Sequence, residues 1–220
     1  MAKRKLRNFA ELETFTNVIQ HPYYKEQFDH PLKGKWHQEF FRNSLPITLE
    51  LGCGKGEYSV GLAIRHPERN YLGVDIKGNR IWRGAKTGIE DNIPNIAFLR
   101  TEIEHLNNFF LPGEVDEIWI TFPDPQPNKS KAHKRLTSAE FLDRYRKILR
   151  PGGLVHLKTD SAFLFESTMA VIESQNLPVL RISRDIDTDF PGDELLQIRT
   201  YYELKFRQTG VPINYVAYTL

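Results

Sequence analysis

Cysteine is nearly missing from this 220-residue chain, which has one, Cys53. A single thiol excludes an internal disulfide and a cysteine-built zinc cluster, and it fits a reducing compartment. Charge of one sign is not in excess either. Lys and Arg number 30 against 28 Asp and Glu, for a formal net charge of +2. A protein that coats nucleic acid over its whole surface is more basic than this, so any site for a polyanion has to be local. No apolar run approaches the ~20 residues that cross a bilayer, and no membrane partner is expected. The stretch Met1 to Leu12 is basic without an apolar centre. It therefore does not read as a secretory signal, and a cytoplasmic location is expected. Repeats and low-complexity tracts are absent as well. What is present, 40% hydrophobic and 12% aromatic residues, suffices to close a full core.

Residues 1–46 differ from the rest. Lys3, Arg4, Lys5 and Arg7 are followed by Phe9, Phe15, Tyr23, Tyr24, Phe28, Trp36, Phe40 and Phe41 without clean periodicity. A mobile basic tip and an irregular, partly helical cover are predicted there, as an extension to a single domain over residues 47–220. Within that domain short β-rich runs alternate with helix-length segments. Strands are predicted at Ile47–Leu51, Tyr71–Asp75, Ile96–Arg100, Glu117–Thr121 and Leu154–Thr159, and helices at Glu57–His66, Asn79–Asp91, Ser138–Leu149 and Ala162–Gln175. Val179–Ile186 and Tyr201–Gln208 are predicted as two further strands, the second of them antiparallel. Alternation at this spacing implies an α/β fold, a mostly parallel seven-stranded sheet with helices on both faces.

The strongest local signal is Glu50-Leu51-Gly52-Cys53-Gly54-Lys55-Gly56-Glu57, which follows the first predicted strand and opens the first helix. Glycines let the backbone turn tightly and approach a ligand with no Cβ in the way. A dinucleotide site wants G-x-G-x-x-G, with the pyrophosphate at the helix N-terminus. Here the third glycine comes one residue early, and Glu50 and Glu57 flank the turn. Acids there repel a pyrophosphate and welcome a cationic amino-acid end. S-adenosylmethionine has that shape, and the pattern resembles motif I of class I methyltransferases. Gly52 and Gly54 would then lie against the cofactor. Asp75 closes the second strand, where a carboxylate can take both ribose hydroxyls. Ile76 would pack on the adenine, and Glu102 would accept from its amino group. Cys53 reads as a small buried filler, and Glu57 also reads as a first-turn acid that complements the helix dipole.

The fourth strand runs into Phe122-Pro123-Asp124-Pro125-Gln126-Pro127. Ligand crevices of open α/β sheets lie at the carboxyl ends of strands, so this loop is expected to project toward the transferred methyl. Its prolines stiffen the chain around Asp124. Next come Asn128, Lys129, Lys131, His133, Lys134 and Arg135, a cationic run expected to contact phosphates.

Together Glu50–Glu57, Gly73–Ile76, Phe122–Leu136, Lys158-Thr159-Asp160 and Thr200-Tyr201-Tyr202-Glu203 resemble the bacterial tRNA (guanine-N7)-methyltransferases, from residue ~47 to the C-terminus by element spacing. The resemblance implies a Rossmann-like class I methyltransferase fold, S-adenosylmethionine as cofactor and tRNA as partner. The implied target is N7 of guanine 46 in the variable loop. It further implies that Glu50, Asp75, Glu102 and Asp124 contact the cofactor, and that Asp124 serves the chemistry. Asp160, Thr200 and Glu203 would stand near the substrate. Apart from the resemblance, Phe122, Tyr201 and Tyr202 are candidate stacking surfaces for the base, while packing at alternating strand positions gives the same tyrosine pattern. Where the family usually has Trp after Asp-Pro this chain has Gln126, and where it has Lys four residues after the Asp this chain has Asn128. Two other readings stay open: a methyltransferase for another substrate class, and a non-catalytic RNA-binding module on the same fold. A dehydrogenase is disfavoured by the glycine spacing. No metal is expected, and monomer and homodimer are equally compatible with the sequence.

Overall fold

From residue 47 the predicted rhythm of strands and helices recurs in a computed structural model, which describes residues 2–21, 28–208 and 210–220. Two units divide the chain, Met1–Leu111 and Pro112–Leu220.

In the first unit, strands β1 (Val18–Gln20), β2 (Ile47–Leu51), β3 (Asn70–Asp75) and β4 (Ile96–Arg100) pair in the order β1-β4-β3-β2, every pair parallel. Every residue of β2 and β3 is buried. Strands covered on both faces are apolar at most positions, and the polar exceptions here, Thr48, Glu50, Asn70 and Asp75, are buried all the same. Helices α1 (Ala2–Leu12), α2 (Glu57–Arg65) and α3 (Gly78–Glu90) complete the unit.

The extension departs from expectation. Its basic tip is helical, as α1, and Glu11 ties that helix to α3 by accepting from Trp82 Nε1 at 2.9 Å and from Lys86 Nζ at 2.5 Å. Residues 18–20 add an edge strand that the alternation did not show, giving eight strands among the described residues where seven were predicted. Trp36 is fully buried, stacks on Phe110 at 5.3 Å and donates from Nε1 to the Phe109 carbonyl at 2.8 Å. Tyr23 and Tyr24 lie outside the described residues, as do the side chains of Lys3 and Arg4.

In the second unit, β5 (Val115–Thr121), β6 (Leu149–Thr159), β7 (Val179–Ser183) and β8 (Asn214–Thr219) pair in the order β5-β6-β8-β7. β5 and β6 are parallel, and β8 is antiparallel to both β6 and β7. Helices α4 (Ala139–Arg146), α5 (Ala162–Ser174), α6 (Ile186–Asp189) and α7 (Tyr201–Arg207) belong here. One antiparallel strand was expected, but its place was wrong: Tyr201–Gln208 is not a strand. It forms α7, because Thr200 Oγ1 accepts from Glu203 N at 3.2 Å and Glu203 pairs one turn away with both Arg199 and Arg207. The antiparallel strand is β8. The helix predicted to end at Leu149 stops at Arg146, and β6 already begins at Leu149, ahead of Pro151-Gly152-Gly153.

Candidate active site

The glycine turn joins β2 to α2, and its backbone requires glycine. Gly52, Gly54 and Gly56 have φ of 74°, 57° and 72°, in the left-handed region that costs other residues roughly 1 kcal/mol or more. Gly56 has a second reason. A Cβ there would stand 2.5 Å from the Phe98 ring and 3.2 Å from Gly84 Cα, so this glycine sets how closely the turn packs against β4 and α3. At Gly54 the nearest atom to such a Cβ is the Gly52 carbonyl oxygen at 4.0 Å, so the outer side of the turn is bare.

Two predicted cofactor acids shape the turn. Asp75 is 8% exposed at the end of β3, where Oδ2 accepts from Gly54 N at 3.0 Å and Oδ1 from Lys77 N at 2.8 Å. Each carboxylate oxygen has two lone pairs, so both keep capacity for a hydroxyl. Glu50 is buried, and its Oε2 accepts from both the amide (2.8 Å) and the hydroxyl of Ser59. Ser59 was not foreseen, since nothing in the sequence pairs a helix-interior serine with an acid nine residues earlier. Ile76 is half-buried beside the turn's partner strand. Glu102 is half-buried at the start of a 3-10 turn, 3.3 Å from His105. Burial pushes the Cys53 thiol well up, with the Glu50 and Asp75 charges adding to it. The thiol is therefore kept protonated, and Cys53 is a filler.

This donor set fits S-adenosylmethionine: a bare glycine turn, an acid with free acceptor capacity at the strand end, and carboxylates where a pyrophosphate would be repelled. Asp75, Gly52, Gly54, Ile76 and Glu102 would hold it, and Glu50 would support the turn through Ser59.

In the second unit the loop after β5 is strained. Phe122 and Gln126, neither of them glycine, have φ of 48° and 44°, at a cost of order 1–3 kcal/mol each. Prolines at 123 and 127 bar the ordinary helical region to the residues before them. Phe122 N continues the pairing by donating to the Lys158 carbonyl at 2.8 Å. Asp124 is exposed, and its Oδ1 accepts from Gln126 N at 3.1 Å. Asn128 caps the following 3-10 helix, Lys129–Lys134, by accepting from Ser130 N at 3.0 Å. Lys129, Lys131, His133 and Lys134 are all exposed on it. Arg135 is used differently. It donates to the Gln126 carbonyl at 3.2 Å and Ser167 Oγ at 2.9 Å, and so pins the loop to α5.

The late motif splits in two. Tyr201 and Tyr202 are 55% and 42% exposed. Thr200 is buried as a cap, and Glu203 is fully buried with Lys158 at 2.7 Å, Arg199 at 2.7 Å and Arg207 at 2.9 Å. Lys158 Nζ also donates to the carbonyls of Leu196 (2.7 Å) and Ile198 (3.0 Å). Desolvation lowers its pKa to about 8, against the raising influence of Glu203. A lysine inside an apolar strand was the available signal, since a buried charge needs a partner. Asp160, at the end of β6, is half-buried, and burial raises its pKa.

Residues 44–216 match a protein-family model described as "Putative methyltransferase". A tRNA (guanine-N(7)-)-methyltransferase of Bacteroides thetaiotaomicron is 48% identical over 221 residues, covering 100% of this chain and 87% of its own. That of Christiangramia forsetii is 46% identical, covering 100% and 99%.

The chain belongs to the tRNA (guanine-N(7)-)-methyltransferase family.

A member from Streptococcus uberis, 36% identical, spans 88% of this chain and 90% of its own. Among solved structures, the 16S rRNA methyltransferase KamB aligns with a TM-score of 0.64 at 16% identity, over 89% of this chain and 95% of its own. A 16S rRNA (adenine(1408)-N(1))-methyltransferase mutant with cosubstrate SAM from Catenulisporales acidiphilia aligns at 0.56 and 16% identity, over 84% and 90%. These likenesses show the Rossmann-like class I methyltransferase fold. As a member of this family the protein is an S-adenosylmethionine-dependent methyltransferase.

Proposed function

We propose that this protein methylates N7 of a guanine in tRNA, and that the target is guanine 46 of the variable loop. The observation that carries the reading is Asp124, an exposed carboxylate on a strained, proline-held loop that leads directly into an exposed cationic helix. A small-molecule enzyme has little use for that helix, and a non-catalytic module has little use for the strain.

When bound, the cofactor supplies a methyl group activated by its sulfonium. Guanine N7 carries an in-plane lone pair and no proton, so no general base is needed. The chain's own work is to place N7 and to exclude water. Methylation puts positive charge on the base, and a preorganised carboxylate at Asp124 stabilises that charge as it develops. Only one Asp124 oxygen is engaged by Gln126, which leaves the carboxylate able to accept from guanine N1–H or the 2-amino group. Lys129, Lys131, His133 and Lys134 take phosphates, with Asn128 and Arg135 holding their helix in place. N7 faces a groove that side chains do not enter in A-form RNA, so the base has to be unstacked. Tyr201 and Tyr202 offer it exposed rings, and Asp160 offers a second carboxylate. Thr200 and Glu203 act indirectly, by fixing the segment that carries the tyrosines. No helix among the described residues is long and apolar enough to cross a membrane. A cytoplasmic site of action on tRNA accords with this reading.

The test is incubation with labelled S-adenosylmethionine and unmodified tRNA, followed by borohydride and aniline. Chain scission at guanine 46 is expected. Label incorporated without scission would mean another target atom and would overturn the proposal.

A further inference from the structure

Two adjoining cavities lie in the first unit along α1 and α3, about 840 Å³ and 300 Å³, and share Lys5, Asn79 and Arg80 in their walls. The larger adds Lys55 and Arg83, and the smaller adds Lys77 and Arg100. Glu57 is the one acid in either wall. The excess of positive charge there is larger than the +2 of the entire chain, so this face is a concentrated patch on a nearly neutral protein.

The patch is built. Arg100 stacks over the Phe9 ring at 4.9 Å and donates to the Gln20 side chain at 3.1 Å. Arg83 is held by Thr87 Oγ1 at 2.7 Å and is paired with Glu90 at 3.6 Å, so its charge is partly offset. Among the described residues no carboxylate lies within ion-pairing distance of Lys5, Lys77 or Arg80. The wall that carries Lys5 is fixed to α3 by Asn8, whose Nδ2 donates to Asn79 Oδ1 at 3.2 Å, and by Glu11 on Trp82 and Lys86. Six cations divided between two adjoining cavities are more than a single small anion needs and match the repeating charges of a polynucleotide.

We propose that the α1–α3 cleft binds the phosphate backbone of the tRNA, as a second grip independent of the helix after Asp124. This rests on the proposed function for the identity of the RNA. It gives the N-terminal extension a task, because α1 lies outside residues 44–216 that match the family model.

The test compares wild type with Lys5→Ala/Arg80→Ala and with Lys5→Glu. Binding of unmodified tRNA is measured over a range of salt concentrations, and S-adenosylmethionine binding by calorimetry. Each lost phosphate contact lowers the slope of log K against log salt by about one. For the double variant a slope smaller by about two and an affinity weaker by on the order of tenfold are expected, with a raised KM for tRNA. Cofactor affinity and kcat at saturating tRNA should be unchanged. An unchanged tRNA affinity and slope would overturn the cleft and leave the proposed function standing. Loss of cofactor affinity in both variants would also overturn it, because the substitutions would then be acting through the fold or through Ile76, which shares the smaller cavity's wall and was placed against the cofactor. Wild type that binds tRNA but methylates no guanine would overturn the proposed function, while the slope would still decide the cleft.

Discussion

Replacing Glu203 by Gln takes the negative charge out of a buried cluster while keeping an acceptor oxygen and nearly the same volume. Lys158, at a pKa of about 8, is mostly protonated at pH 7. Holding that proton is worth about 1 kcal/mol there, roughly one pH unit's worth. A fold without the Glu203 charge forfeits at most this much, because the amine can escape by losing its proton. Arg199 and Arg207 lose charge-assisted bonds to the same carboxylate, and their partial exposure limits the cost to about 0.5–1 kcal/mol each. The sum is about 2–3 kcal/mol at pH 7. At pH 9 wild-type Lys158 is itself largely neutral, so the loss shrinks to about 1–2 kcal/mol. The wild type should in turn gain stability as pH rises from about 8 toward the ordinary lysine pKa of ~10.4, since the unfolded chain binds the extra proton in that window. Urea unfolding of both proteins at the two pH values measures all of this. A loss under about 1 kcal/mol at pH 7, or an equal loss at both pH values, would refute the argument.

Legibility tracked how local the cause of each feature is. Ile47–Leu51 and Ile96–Arg100 were read to the residue because a central parallel strand is buried on both faces and bounded by breakers. The glycine turn was legible because left-handed residues at three alternate positions, 52, 54 and 56, admit little but glycine. Residues 201–207 misled because Tyr-Tyr-Glu-Leu-Lys-Phe-Arg mixes aromatic and charged side chains in a way that suits either period. What decides for helix is Lys158 on β6, which gives Glu203 a buried partner from 45 residues away. β8 was overlooked for the opposite reason: residues 214–218 are all buried, so it shows no alternation. At the candidate site the residue types were right, but their division of labour was not visible. Glu50 and Glu203 look like ligand acids in sequence, and the fold spends both largely on internal bonds to Ser59 and Lys158.

Three further outcomes follow from individual contacts. Gly56→Ala meets both a positive φ and the Phe98 ring at 2.5 Å, so a loss of about 2 kcal/mol or more is expected in thermal or urea unfolding; a loss below 1 kcal/mol would show that the turn has room to spare. Burial holds the Asp160 pKa above its ordinary value, so ionisation opposes folding and stability is gained as pH falls through the folded pKa. Asp160→Asn should therefore be at least as stable as wild type at neutral pH, with the advantage fading on acidification, and a variant whose deficit stays constant with pH would contradict this. Asp124 differs from both, because its side chain is exposed and bonded only to Gln126 N two residues on. Asp124→Ala should cost under about 1 kcal/mol of stability yet reduce kcat by more than ~10²-fold if one preorganised charge is lost. Asp124→Asn separates the two things the carboxylate does, since an amide oxygen can still accept from Gln126 N and keep the loop's shape. If charge is what matters, the asparagine variant falls nearly as far as the alanine variant in single-turnover methylation. Near wild-type rates in Asp124→Asn would move the role of this residue from electrostatics to loop geometry.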